Sequence, residues 1–308
     1  MIFLYYVCGR INIWDFMDGF WDEVLRFLED AGIGYRTDGA GGGRPSILCR
    51  HLRSGDMVRV VPADICATNR EEALEQQRDL AAAVTLFSIC DGAYPLIISR
   101  DRWERRKNMM QERILAHLGS YIQIYARNCE VRRIEKPLAA AFLEQTHSYG
   151  DAACRYRYGL FLSRHTGHCR GDEAAETVAP GTLVAVAEFS GARRWDKGGK
   201  IISSYEWTRY ACLPKMRISG AMGKVLDYFI SQVHPDDIMS YADLEWSEGS
   251  VYEKLGFVPE GMKEPVEFVV NPSTWERRAD SGNPDNGYLR FINLGSRKYR
   301  LKLTEYQI

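Results

Sequence analysis

The residues best suited to chemistry gather in one stretch, Tyr205 to Val258, where a β-rich run leads through a glycine-containing turn into an amphipathic helix. The turn reads Pro214-Lys-Met-Arg217-Ile-Ser219-Gly220-Ala221-Met222-Gly223-Lys224. A helix start presents unpaired N–H groups and a positive dipole end, so a phosphate-bearing ligand can settle there. In the strand before it, alternation puts Glu206 on one face with Ser204 and Thr208, and Tyr205, Trp207 and Arg209 on the other. Glu206 reads either as a base or as a solvated strand carboxylate; Asp243 and Glu188, each at a strand end, are weaker candidates. Cys154, His165, His168 and Cys169 are metal-ligating types, but Cys-x10-His-x2-His-Cys matches no standard zinc spacing. Neighbours His168 and Cys169 would also have to turn the same way, so no metal is expected.

Several elements must hold that stretch in place. Met222, Val225, Leu226, Phe229, Ile230 and Val233 repeat at helical spacing and demand burial of one face against a sheet. Ile238 to Tyr241 is a short buried strand, and Ser247 can cap a helix with Val251, Tyr252 and Leu255 inward and Gly256 at its end. Upstream, Asn128 to Ile134 reads as a strand, Pro137 opens a helix, and strands follow at Arg155 to Ser163, Leu183 to Phe189 and Ile201 to Cys212. Downstream come a strand at Pro265 to Val270 and a terminal hairpin over Tyr288 to Leu303, turning at Asn293 to Ser296.

The first 118 residues read as a smaller α/β unit. Met1 to Cys8 forms an opening strand rather than a leader peptide. A helix stripe over Trp21 to Leu28, a hairpin around Gly39 to Gly43, a helix at Glu71 to Phe87 and a strand at Tyr94 to Ser99 follow. Arg102 to Leu118 reads as one helix with Met110, Ile114 and Leu118 inward and its arginines outward. At 308 residues two domains are expected, 1–118 and 119–308. A formal net charge of −1 argues against a protein that coats nucleic acid. Eight scattered cysteines without a CxxC pair read as reduced thiols, and no apolar run reaches the roughly 18 residues of a membrane span; a cytoplasmic protein is expected.

From Asn128 onward the order strand, helix, three strands, helix, strand, helix, strands resembles the GNAT family of acyl-CoA N-acyltransferases. Pro214, Arg217 and Gly220 match its P-x-x-R-x-x-G-x-G/A turn, and Val251-Tyr252-Glu-Lys-Leu-Gly256-Phe257 matches a later helix. Met222 departs from the pattern, standing where the second Gly or Ala belongs. The resemblance covers about 120–303 and implies an α/β (α+β) fold with a mixed central sheet flanked by helices. It implies acetyl-CoA or another acyl-CoA as cofactor, held by Cys212, Arg217, Ser219, Gly220, Ala221, Met222, Gly223 and Lys224. It implies acyl transfer to an amine, with Tyr252 protonating the leaving sulfur; a core aromatic is the other reading of Tyr252. Attack on a thioester needs a base for the amine, and Glu206 is the best placed.

Two narrower likenesses point elsewhere. Ser240-Tyr-Ala-Asp243 before Gly249-Ser-Val-Tyr252 resembles Mom-type phage proteins, GNAT relatives that modify adenine in DNA. Tyr94 to Trp103 and Tyr125 to Cys129 are similar to the end of a nuclease-like domain in phage proteins, but Met57 to Val61 lacks the Asp and Glu-x-Lys such chemistry needs, and Asp64 has no evident partner. Residues 100–136 carry ten Lys/Arg against five Asp/Glu, either a solvated face or a surface for nucleic-acid phosphates.

Overall fold

The protein's computed structural model describes residues 13–38, 44–164, 178–282 and 287–305, with side chains from residue 19. The opening strand expected at Met1 to Cys8, the turn at 39–43 and the candidate ligands His165, His168 and Cys169 lie outside the described residues.

The first unit builds α1 (Ile13–Asp30), β1 (Tyr35–Asp38), β2 (Ser46–Arg50), β3 (Met57–Ala63), α2 (Arg70–Asp91) and β4 (Leu96–Ser99). Strands β1 to β4 form one sheet in sequence order, antiparallel except for the parallel β3–β4 pair that α2 connects. The α1 stripe, Phe20, Trp21, Val24 and Leu28, buries one face of this sheet together with Trp103, Met110 and Ile114. Asn69 caps α2 by accepting from the Glu72 amide, and Gly92 ends it in the left-handed region at φ 64°. The single helix expected over Arg102 to Leu118 is instead two, α3 (Arg100–Arg105) and α4 (Lys107–His117), broken at Arg106 with φ −136°. The break reorients the second half, and not all of the arginines point outward. Arg102 is buried, and Arg113 faces the interior cavity described below.

The remaining chain gives β5 (Ile122–Tyr125), β6 (Cys129–Arg133), α5 (Lys136–Thr146), β7 (Tyr156–Leu162), β8 (Leu183–Phe189), β9 (Arg193–Lys197) and β10 (Lys200–Cys212). Then follow β11 (Met216–Ser219), α6 (Ala221–Val233), β12 (Asp237–Asp243), α7 (Ser250–Lys254), β13 (Val258–Lys263), β14 (Glu267–Val270), β15 (Arg277–Ala279), β16 (Leu289–Ile292) and β17 (Ser296–Lys302). The central sheet runs β13-β17-β12-β10-β8-β7-β6, with β9 added to β10. It is mixed: β10 and β12 are parallel, while their other neighbours in this sheet are antiparallel. The expected α/β architecture, mixed sheets flanked by helices, is therefore present.

The two faces of the central sheet carry different helices. Val225, Leu226 and Phe229 of α6 pack with Tyr158, Phe189, Tyr205 and Trp207, and Phe189 and Phe229 stack at 4.0 Å. Each such side chain withdrawn from water contributes roughly 1.5–3 kcal/mol. On the other face Ala139, Phe142 and Leu143 of α5 pack with Val186 and Ala211.

Two expectations fail for local reasons. Tyr288 to Leu303 is not a hairpin, because β16 joins β14 and β15 while β17 crosses into the central sheet. The switch occurs at Gly295, φ 76°, where a Cβ would lie 2.4 Å from the Lys263 carbonyl. The inward set assigned to the helix at 250–254 also fails at Val251, which is 40% exposed; Ser247 accepts from the Gly249 amide, one residue before that helix begins.

Candidate functional site

The parallel pair β10 and β12 is in register only from Ser204↔Asp237 to Glu206↔Met239. Beyond it the two strands part, and Ser240 bridges the gap with its hydroxyl 2.9 Å from the Trp207 carbonyl. A cavity of about 690 Å³ opens there, lined by Glu206 to Tyr210 of β10, by Met239 and Tyr241 to Asp243 of β12, and by Tyr252. Met222, in the first turn of α6, forms part of the wall.

A bulge in β10 sets which side chains enter. Trp207 pairs with Phe189 and Arg209 with Glu188, so Thr208 is the extra residue. Simple alternation put Arg209 opposite Glu206; the bulge shifts the register by one and brings Arg209 to the same face, the one α5 covers. That slip leaves no trace in the residue pattern, because either alternation fits the apolar positions.

Tyr252 is held from several sides. Its ring stacks on Tyr299 at 5.3 Å and meets Phe257 edge-on at 5.6 Å. Gly249 (φ 94°) permits this, since a Cβ there would sit 2.4 Å from the Tyr299 ring. The Tyr252 hydroxyl lies 2.9 Å from Ser240 Oγ. Ser240 has one proton, and the Trp207 carbonyl can only accept, so Ser240 donates to that carbonyl and accepts from Tyr252. Burial pushes the Tyr252 hydroxyl above its usual value, so it carries its proton at neutral pH. Glu206, half-buried, has no hydrogen-bond or ion-pair partner for its carboxylate among the described residues.

The other candidates are spread out. Asp243 lines the cavity but is held by Arg102 at 3.1 Å and by the Tyr149 hydroxyl at 3.1 Å. Burial works to raise its pKa; Arg102 and the Glu245 amide outweigh that and keep it low. Glu188, pushed up to about 7 by burial and by Asp151, is ion-paired to Arg157 at 3.0 Å and does not line the cavity. Cys212 also lies off it, 3.3 Å from the Tyr210 hydroxyl.

The turn before α6 has its own order. Residues 216–219 form β11, which pairs in parallel with β5, a strand pair the sequence did not suggest. Gly220 takes φ 80° and starts α6; the amides of Ala221, Met222 and Gly223 precede the first intrahelical bond, from Lys224 to Gly220. Gln123 Nε2 donates to Ser219 Oγ, and Arg217 is exposed with one nitrogen 3.0 Å from the Tyr121 hydroxyl. The Lys224 ammonium donates to the carbonyls of Ala126 and Cys129, so it braces the turn from behind rather than pointing at a ligand. Three amides with no partner among the described residues, behind a left-handed glycine, suit an anionic phosphate group. Side chains that sequence reasoning passed over also reach the cavity: Arg113, His147, Tyr149, Arg209 and Trp246. No motif marks them, because they come together only through the α4 and α5 packing.

Of the ten cations in 100–136, six lie within 4.0 Å of a carboxylate: Arg100, Arg102, Arg106, Lys107, Arg132 and Lys136. Asp64, without an evident partner in the sequence, pairs with Arg100 at 3.2 Å, which Glu104 also meets at 3.5 Å. Among the described residues there is no group of three or more His, Cys, Asp or Glu placed to hold a metal, and no helix long and apolar enough to cross a membrane.

No protein-family model matches the chain, and no curated protein matches it. Several of the solved structures that match are described as acetyltransferases. The protein yncA from Salmonella typhimurium, solved with its cofactor acetyl-CoA, shares 14% identity, over 59% of this chain and 97% of that one, at a TM-score of 0.32. A spermidine N-acetyltransferase SpeG chimera from Vibrio cholerae and hSSAT shares 14% identity, over 57% and 95%, at 0.32. A GNAT-family acetyltransferase from Bacillus anthracis shares 12%, over 57% and 95%, at 0.29. Nothing among these supports the Mom-type likeness. Overlaps this loose carry no argument about activity, which rests on the site itself.

Proposed function

We propose that the protein is an acyl-CoA-dependent N-acyltransferase of GNAT type. The observation that carries this reading is the cavity at the parting of β10 and β12, which gathers Glu206, Tyr252 and the start of α6. Gly220 and the free amides of Ala221, Met222 and Gly223 are the groups that would hold the cofactor's phosphates. Met222 takes the place of a small residue and lines the cavity. Bound there, acetyl-CoA would supply an acyl group already activated as a thioester.

The chain's own residues then handle protons. Glu206 Oε takes a proton from the incoming ammonium or amine, for which an unpaired carboxylate in a half-buried position is suited. The Tyr252 hydroxyl gives its proton to the departing sulfur. Ser240 keeps that hydroxyl aimed across the gap between the strands. The amine gains an acyl group and the sulfur a proton, so the transfer is balanced.

Glu206→Gln keeps shape and removes the base. It is expected to lower kcat/KM roughly tenfold to a hundredfold, with the loss shrinking as pH rises and more amine is already deprotonated. Thiol release measured from pH 6 to 9 checks this. An unchanged rate at pH 7 would assign Glu206 to a solvated face.

A nucleic-acid role on the basic 100–136 stretch is less supported. Ion pairing of six of its ten cations leaves little free charge for phosphates, chiefly Arg105, Arg127 and Arg133.

A further inference from the structure

Resting on the acyl-transfer reading, the geometry points to the acceptor class: we infer that the amine acceptor carries an anionic group, a carboxylate or phosphate, received by Arg113 together with Arg209 and His147.

The face of the sheet decides that this is the acceptor's side. Trp207 and Ser240 face α6, as does Tyr252 through Ser240. Glu206 and, through the bulge, Arg209 face the side of α5, where Arg209 donates to the Gly150 carbonyl at 2.9 Å. His147 and Ser148 follow α5 directly, and Arg113 comes in from α4 with one nitrogen 3.4 Å from Ser148 Oγ. All of them line the same cavity as Glu206.

The charge on this wall is unbalanced. The Arg113 guanidinium carbon lies over the Trp246 ring, 3.7 Å from its centroid, and Arg113 has no carboxylate within ion-pair distance among the described residues. Among the described residues Arg209 bonds only backbone carbonyls, those of Gly150 and Thr208. Of the carboxylates that line the cavity, Asp243 is already engaged by Arg102 and Tyr149, and Glu206 and Glu264 form no ion pair with either arginine among the described residues. A partly buried cation without a counter-ion is costly, and a ligand anion is the partner that removes the cost. Burial and Arg102 push Arg113 down to about 10, the direction of a cation short of a partner. His147 accepts from the Tyr149 amide at Nδ1, so neutral imidazole carries its proton on Nε2, and burial with Arg209 and Arg113 nearby holds it low, at about 3. It therefore offers an N–H donor, not a second charge. The Trp246 indole N–H is buried with no acceptor among the described residues. Two guanidinium groups and two unspent ring donors together make a receptor for oxyanions.

The test pairs amines that differ by the anion: phenylalanine against phenethylamine, and O-phosphoethanolamine against ethanolamine, with spermidine as an all-cationic amine. Each is titrated calorimetrically into the full chain, with and without coenzyme A, and assayed as acetyl acceptor. The anionic member of at least one pair is expected to bind roughly tenfold tighter, the scale of one charge-assisted bond. Which pair responds tells carboxylate from phosphate. In Arg113→Gln that preference falls to near unity, KM rises and kcat holds; Arg113→Lys restores part of it. Equal or tighter binding of the amines lacking an anion overturns the inference, as does an unchanged preference in Arg113→Gln, or no binding of either anionic amine. If Arg113→Gln fails to fold, the wild-type panel and Arg113→Lys still decide. Anion preference without any coenzyme A binding counts against acyl transfer and not against the anion wall.

Discussion

Tyr252→Phe is expected to lower kcat by roughly 100- to 1,000-fold, the usual worth of one positioned proton donor. The change removes a single oxygen. The ring contacts with Tyr299 and Phe257 depend on the ring alone and remain, so fold and acetyl-CoA affinity should hold. Ser240 keeps its bond to the Trp207 carbonyl and loses only the proton it accepted. Poorer transfer from thioesters with basic leaving groups, and milder loss with an acidic thiol such as thionitrobenzoate, would place the hydroxyl at the sulfur. A rate within twofold of wild type would make Tyr252 a packing residue.

Arg102→Ala is expected to cost about 3–5 kcal/mol of stability, because it strands buried carboxylates rather than merely deleting a contact. Arg102 is 9% exposed and lies between Asp243, at 3.1 Å, and Glu245, at 2.7 Å, with the Tyr149 hydroxyl a third partner at 2.7 Å. Glu245 sits between Arg102 and Arg277, and Arg277 holds Asp101 at 2.6 Å, so charges alternate along one buried row. The Arg102–Glu245 contact is close but misaligned for a hydrogen bond, so Coulomb attraction is its main content. Burial raises the Glu245 pKa even with two guanidinium groups beside it. The row joins α3 to the end of β12 and to β15, so its loss should also loosen the Asp243 wall of the cavity. Urea unfolding checks this; a loss under about 1 kcal/mol would mean the row is solvated and unimportant.

Much of the scaffold was legible because it is written in periodicity. The α6 stripe from Met222 to Val233 and the apolar runs of β7, β8 and β10 locate themselves. Glu206 and Tyr252 were legible as candidates, and they do share one cavity. What the sequence hid depends on partners distant along the chain. β11 exists because β5 lies beside it; the inward turn of Arg102 answers to carboxylates more than a hundred positions later, and Arg106, at the break, pairs with Glu144. Lys224 looked like a phosphate ligand from its place in the motif, yet two carbonyls at 126 and 129 claim it first. Arg209 was assigned to the wrong face because a one-residue bulge leaves no mark in the residue pattern.

Calorimetric titration of acetyl-CoA into the full chain, with melting followed in parallel, tests the central claim most directly. Saturable one-to-one heat and a melting temperature that climbs with ligand concentration are predicted, since a ligand bound only by the native state adds about 2.7 kcal/mol at a hundred times its Kd. No heat and no shift at millimolar acetyl-CoA would contradict the account.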